Sequence, residues 1–576
     1  MKHPEHKLTI IGGGIIAALE AYFAFLAAKA KQQPLRITIN EKNQNITQTT
    51  AANLVPSLTP DEILAVVPRG NMLVEKLKLL FNQPGGIRVD DVLGVNDSPV
   101  ATDFIQQVQL YGKNHIEHEL RTSLLFGLGK LSMQLWQNIY DTADAELQKI
   151  LQESNFQACR EPINAKPILH DGYRIDLIFN MPDAVQKALA MQQDYINLGY
   201  KHCKILSPQQ VLELDPYLTD YCYNNAKQDN AGKLVWNNNA VALYHPGGCI
   251  DSEVFLPKFY AYLSRVMGTY VNHAGQEKNC FRLKFNRYIE AVVYTTESNF
   301  AVINGIKFNN TIKYNKHKYL RSEYVFCPGE AVGTLSKLGF YEPAYAGFAG
   351  ASLKLNIPVA GEQLAKYSGF NHCMEVHQEG VVLAWQARLR AGKIFIGVGG
   401  TKAFYAAVTP DKDQAFALDR NLLQLNIINN VLPEFISLAL QRNTKGETLT
   451  AQDLIFLEKS GIAQRWVGTR AVAYDGFPTL GPVYNQQGRV HNARCTTHAG
   501  SGGASFAPAL VFTSRNPAAN AVVASYASSN RRLMAKLWHG SLSTVFREQF
   551  AAAIPPKNEW ILNSAVNCWL IKRQHV

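Results

Sequence analysis

The stretch LTIIGGGIIAALEAYFAFLAAKAK, residues 8–31, constrains the fold of this chain more than any other. An apolar run so near the start can be a secretory leader, a membrane span, or a buried strand feeding a helix. A leader needs a basic start, an apolar core and small residues at its end. Lys2, Lys7, the run from Ile15 and the sequence AAKA imitate all three. Two features argue against it: Glu20 lies inside the apolar run, and Gly12, Gly13 and Gly14 stand where a leader would place Leu or Val. A spanning helix needs about 20 unbroken apolar residues, which Glu20 also denies.

The third arrangement accounts for each residue. Leu8–Ile11 suits a buried parallel strand. Gly12, Gly14 and Ala17 then form G-x-G-x-x-A: the first makes a tight turn, the second lets backbone approach a pyrophosphate, and the small third lets helix and strand pack closely. A helix from Ile15 to about Lys31 aims its free N–H groups at the phosphates. LRITINEK follows as a second strand ending at Glu41, an acid placed to accept from a ribose hydroxyl. The gap from Gly12 to Glu41 exceeds the usual ~20 residues, which a long crossover helix explains. The pattern predicts a dinucleotide-binding fold.

With 576 residues the chain can hold two or three domains, and its 47% apolar and 18% charged content is that of a globular protein. The net charge of +11 favours anionic partners, yet it is spread along the chain with no Lys/Arg block, as on a generally basic surface. The nine cysteines are scattered, without a CxxC pair, which argues for a reducing compartment and against a disulfide framework. NHCMEVH (His372, Cys373, His377) and HIEHE (His115, His118) are only loosely metal-like, so no metal is expected. The chain is expected to be cytoplasmic.

Further along, residues 119–157 read as one or two amphipathic helices, 172–180 as a strand, and LSPQQVLELDPYL (206–218) as a short helix capped by Ser207. The segments FRLKFNRYIEAVVYTTESNFAVI, SEYVFCPGEAVGTL (322–335) and GKIFIGVGG (392–400) are strand-rich, the second closing in a glycine turn at Gly329. This alternation suits an α/β sheet plus a second, antiparallel sheet. In RWVGTRAVAYDGFPTLGPV (465–483), Arg470 can clamp a carboxylate through its planar fork or form an ordinary ion pair. Gly500, Ser501 and Gly503, before FAPAL, form either a loop whose N–H groups meet an anion or flavin carbonyl, or a plain tight turn.

In this order, GxGxxA with Glu41, LSPQQVLELDPYL, ALYHPGGCIDSEVFLPKFYAYL, VFCPGEAVGTL and R-x-x-x-x-D-G-x-P-x-x-G resemble the D-amino-acid oxidase/glycine oxidase superfamily of FAD-dependent enzymes, over roughly residues 7–525. The resemblance implies a Rossmann-like FAD-binding domain at about 1–60, 243–345 and 450–525, interwoven with an antiparallel-sheet substrate domain at 61–242 and 346–449. A basic amphipathic extension would occupy 526–576. It implies that Gly12, Gly13, Gly14 and Glu41 hold the ADP half of FAD, and that Thr49, Thr50 and Asn53 meet its pyrophosphate and flavin. Gly329, Gly500, Ser501 and Gly503 would complete the cofactor site. Arg470 matches the arginine that clamps the substrate carboxylate, and Tyr474 either adds a hydrogen bond there or packs in the core. The sequence departs from the family at Ala471 and Tyr474, where Pro is usual, and at His498, one residue before the family's histidine position. With no cysteine beside the Arg470 motif, FAD is expected to be held non-covalently.

The implied activity is oxidation of the C–N bond of an amino acid or secondary amine by hydride transfer to flavin N5, then imine hydrolysis, with O₂ or quinone as electron acceptor. Two alternatives stand beside it. GSGGASFAPAL resembles the GSRG…SAP segment of the flavin domain that trims carboxymethylaminomethyl-uridine in tRNA, although Gly502 replaces its Arg. A non-catalytic FAD-fold interaction protein is the other. The C-terminal extension could touch an anionic membrane or pack on the chain's own surface.

Overall fold

Short apolar runs that alternate with helices bury best as parallel strands with helices laid across them, and the computed structural model is built this way. The described residues are 6–53, 55, 57–59, 88–89, 104, 115–157, 172–197, 200–271, 275–297, 300–314, 321–331, 333–378, 381–400, 403–405, 414–474, 476–500 and 503–515.

The first sheet starts with β1 (His6–Ile11), crosses over through α1 (Ile15–Ala30) and continues in β2 (Leu35–Asn40). After α2 (Ser252–Met267) come β3 (Phe281–Lys284), β4 (Arg321–Phe326), β5 (Gly488–Thr497) and finally α3 (Gly503–Arg515). The strands lie in the order β3-β2-β1-β4-β5, every pairing parallel. That order is the one in which doubly wound dinucleotide folds place their ligand, beyond the carboxyl ends of the strands. Leu8, Ile10, Ile37 and Ile39 face the helices and share a core with Ala17, Ala18 and Ala21 of α1 and Phe255, Leu256 and Phe259 of α2. The alanines let α1 lie close to the sheet. An antiparallel meander (Ile289–Glu297, Phe300–Phe308, Thr311–Tyr314) extends the sheet beyond β5 and packs over its other face with Ile11, Tyr324 and Phe326.

Among the described residues the second sheet has ten strands, mostly antiparallel. Its spine is Tyr345–Pro358, which pairs with Lys393–Gly399 and, over eleven residues, with Ala463–Ala473. Val241–Pro246 and Tyr173–Phe179 belong to the same sheet. The two sheets therefore draw on alternating parts of the chain. Pro433–Leu440, Gln414–Val431 and Ala451–Lys459 are helices that back the second sheet, with Leu425, Ile428, Phe435 and Leu454 packed on Leu353, Leu355 and Ile396.

Local signals are realised where they were clearest. Residues 115–157 hold two helices, His115–Thr142 and Ala145–Glu153. Ser207 accepts from the Gln210 N–H and Gln210 answers to the Ser207 N–H, a reciprocal capping box on Pro208–Leu214. Among the described residues, no helix is long and apolar enough to cross a membrane. The C-terminal extension 526–576 lies outside the described residues, as does any membrane contact assigned to it.

Candidate active site

The turn after β1 is shaped by what its glycines leave out. Gly12 has φ +109°, and a Cβ there would collide with the Cys327 carbonyl at the end of β4. Its N–H donates to the Asn40 carbonyl at 2.9 Å. The Gly13 N–H donates to Glu41 Oε2 at 2.6 Å, and a Cβ on Gly13 would meet the same carboxylate at 2.8 Å. Tyr260 of α2 donates to the Gly13 carbonyl at 3.0 Å, which fixes the loop from behind. Gly14 caps α1 without any side-chain acceptor, so the helix presents its first N–H groups to the space beyond the strands.

Glu41 is buried, and each of its oxygens takes one backbone donor, Gly13 N–H and Asn43 N–H (2.9 Å). Burial pushes its carboxyl pKa upward, against the pull of the Asn43 and Gly13 amides and of Lys42. A carboxylate has about four acceptor sites, so lone pairs are left for a ligand's hydroxyls.

Ahead of this turn opens a cavity of about 370 Å³ between the two sheets. It brings together Gly12, Gly13, Gly14, Glu41, Thr49, Thr50, Gly329, Arg470, Gly500 and Gly503 from distant parts of the chain. Gly329 (φ +56°) and Gly500 (φ +59°) turn the backbone at its wall, and α3 begins on it at Gly503. Thr49 accepts from the Ala52 N–H at 3.3 Å, capping the short helix Thr50–Asn53, while Thr50 bonds to Glu330. Arg470 is buried on Ala463–Ala473, in register with Phe348.

Two sequence candidates stand elsewhere. Asn53 does not line the cavity; its amide donates to the Thr47 and Thr49 carbonyls at 2.7 and 3.0 Å and so holds the loop that does. Tyr474 is half-buried past the end of the Arg470 strand, its N–H donating to the Ala344 carbonyl, and it does not line the cavity. Ser501 lies outside the described residues. Other lining residues were not sequence candidates for the site: Arg287, Glu330, Lys42, Thr496 and Thr497; His498, noted in sequence only as a departure from the family, lines it too. His498 sits at φ +55°, its Nδ1 2.8 Å from Thr479 Oγ1 and its Nε2 3.0 Å from Glu342.

His372 and His377 of NHCMEVH do not gather on a common point. His372 pairs with Asp215 at 2.7 Å, whereas His377 turns to Asp176 and Glu375. Asp176, Glu375 and His377 do converge, but Arg174 already reaches Asp176 (2.9 Å) and Glu375 (3.0 Å), so a cation occupies that cluster. The side chains of His115 and His118 lie outside the described ones.

No protein-family model and no curated protein sequence matches the chain. Solved structures do. Glycine oxidase from Bacillus cereus ATCC 14579 is similar at 14% identity, covering 88% of this chain and 93% of its own, with a TM-score of 0.46. L-Proline dehydrogenase from P. horikoshii is similar at 12% identity over 88% and 91%, TM-score 0.45. Iminodiacetate oxidase from Chelativorans sp. BNC1 is similar at 14% identity over 88% and 93%, TM-score 0.45.

Proposed function

We propose that this chain is an FAD-dependent oxidoreductase that oxidises the C–N bond of a small amino acid or secondary amine. One observation carries the proposal: a single cavity between the two sheets has the Gly12–Gly14 turn and Glu41 at one side and the buried Arg470 in the other sheet's strand.

The residues present fit an FAD. Gly12 and Gly13 let the turn pack against the Cys327 carbonyl and the Glu41 side chain, where a Cβ would collide. The uncapped start of α1 offers N–H donors to a pyrophosphate. Glu41 keeps acceptor sites for the ribose hydroxyls, and the start of α3 at Gly503 offers a second set of backbone donors for the ring system. When bound, FAD would supply a hydride acceptor for the carbon next to the substrate nitrogen.

The chain's own work is to bind and orient. Arg470 would take both oxygens of the substrate carboxylate in its fork, which fixes the position of the carbon that loses hydride. Burial of Arg470 keeps water from competing for that contact. The substrate must present its nitrogen lone pair, so only the neutral amine reacts. The kcat/KM is therefore expected to rise with pH until the amine is unprotonated.

The test is anaerobic reduction of the FAD-loaded protein, followed in the visible spectrum, with D- and L-amino acids, glycine, sarcosine and N-methyl amines that lack a carboxylate. Bleaching by one carboxylate-bearing amine is expected. Arg470→Lys keeps the charge but loses the fork, so KM for that substrate should rise at least about tenfold, or 1.4 kcal/mol. Equal bleaching by wild type and Arg470→Ala would remove Arg470 from the site; no bleaching by any member of the panel would remove the substrate class.

A further inference from the structure

The meander-side face of the first sheet carries a second group of polar and charged residues, most of them away from the cavity. The strand register puts Lys7 beside Arg36, Thr9 beside Thr38, Thr38 beside Arg282, and Asn40 beside Lys284. A sheet face under a covering layer is ordinarily apolar, and Ile11, Tyr324 and Phe326 keep that rule where the meander packs on them. Toward the edge strand β3 the same face turns polar and cationic.

Two of its hydroxyls are unmatched. Thr9 and Thr38 are each only 6% exposed, and neither Oγ1 has a hydrogen-bond partner. A buried polar group left unpaired costs about 1–3 kcal/mol. Arg36 donates from Nη1 to the Tyr270 hydroxyl at 2.9 Å, while its Nε is also unmatched. Opposite them, the exposed meander strand Thr311–Tyr314 brings in Lys313. Burial and then the positive charges of Lys313, Arg282, Arg287 and Arg36 push the Lys284 ammonium down to about 8. Burial, Arg36 and Lys313 lower Lys7 as well. The charged neighbours that weigh most on these two lysines are cations, an arrangement that an anion would relieve.

We propose that this face binds a small phosphate-bearing anion, a diphosphate or triphosphate group, held by Lys7, Arg36, Arg282 and Lys284 with the Thr9 and Thr38 hydroxyls donating to its oxygens. The Lys7 and Arg36 end of the site lies toward the opposite ends of β1 and β2 from the Gly12 turn, while Lys284 stands at the near end, beside Asn40 and Glu41. This site stands whether or not the chain oxidises amines.

The experiment is calorimetric titration of the FAD-saturated protein with inorganic pyrophosphate, in wild type, Thr38→Val and Lys284→Gln. Saturable binding that weakens with added salt is expected, with an affinity about tenfold lower in each variant and an unchanged flavin spectrum. Removing an unpaired buried hydroxyl should leave the melting temperature of Thr38→Val equal or higher, which separates loss of a donor from loss of the fold. No heat with wild type, equal affinity in both variants, or release of FAD by pyrophosphate would overturn the proposal. So would binding of an RNA oligonucleotide with none of pyrophosphate.

Discussion

At the residue scale, the cavity depends most on Gly12. Its φ of +109° and the Cys327 carbonyl against its α-carbon leave no room for a methyl group. Gly12→Ala is expected to fold with lowered stability and to lose most of its FAD, read as flavin absorbance per mole of purified protein; full flavin content in that variant would contradict the cradle. Gly12–Gly14 and Glu41 were legible because a turn of this kind is set by a few consecutive residues, and the Gly13–Glu41 hydrogen bond follows from the parallel pairing of β1 with β2. Asn53 and Tyr474 show the opposite. The family resemblance put Asn53 at the ligands and adjacency to Arg470 offered Tyr474, beside its alternative of packing in the core, but placement at a site depends on local conformation that the sequence does not encode. Asn53 turns inward to two carbonyls.

At the scale of elements, Glu20 is the residue whose meaning changed most. In sequence it served to exclude a membrane span; in the fold it ties three elements together. Its carboxylate, fully buried in α1, receives Arg494 of β5 at 2.5 and 2.6 Å and Arg515 of α3 at 2.9 Å. No local rule could find those partners, which lie more than 470 residues away. Burial opposes ionisation of Glu20, but Arg494 and Arg515 together hold its pKa below the usual value. A depressed folded-state pKa means stability that is present above the unfolded pKa and lost as pH falls through the folded one. Glu20→Gln leaves the half-buried Arg515 without its carboxylate and the buried Arg494 with Glu323 alone, and should cost about 3 kcal/mol near neutrality. The gap between wild type and variant should narrow as pH drops below 4, in urea melts run across pH. A constant gap would show that Glu20 contributes by packing alone. By contrast, the Ser207 capping box was readable because S-x-x-Q closes on itself within four residues.

At the scale of the whole molecule, the strands of each sheet come from segments far apart in the chain, as when His6 pairs with Arg321 and Phe348 with Arg470. Strand type was visible from alternation and apolar runs; partner choice was not, because it depends on long-range closure. The second sheet adds its own long-range tie. Arg174, Asp176, His245 and Glu375 join three strands, and Arg174 also bonds to Ser57 beside the cavity loop. Burial opposes a charged Asp176, yet Arg174 and then His245 keep its carboxyl well below the ordinary range. Asp176→Asn is therefore expected to lower the urea midpoint by an amount worth about 3–5 kcal/mol; an unchanged midpoint would mean the network contributes little.

The most direct measurement is the stoichiometry of FAD in the purified protein, by absorbance before and after titration with added FAD and again after acid precipitation. The cavity between the sheets predicts one FAD per chain, and the proposed non-covalent hold predicts its release intact into the supernatant. A colourless protein that takes up no FAD, or one that binds FAD equally well as Gly12→Ala, would contradict the assignment of this cavity.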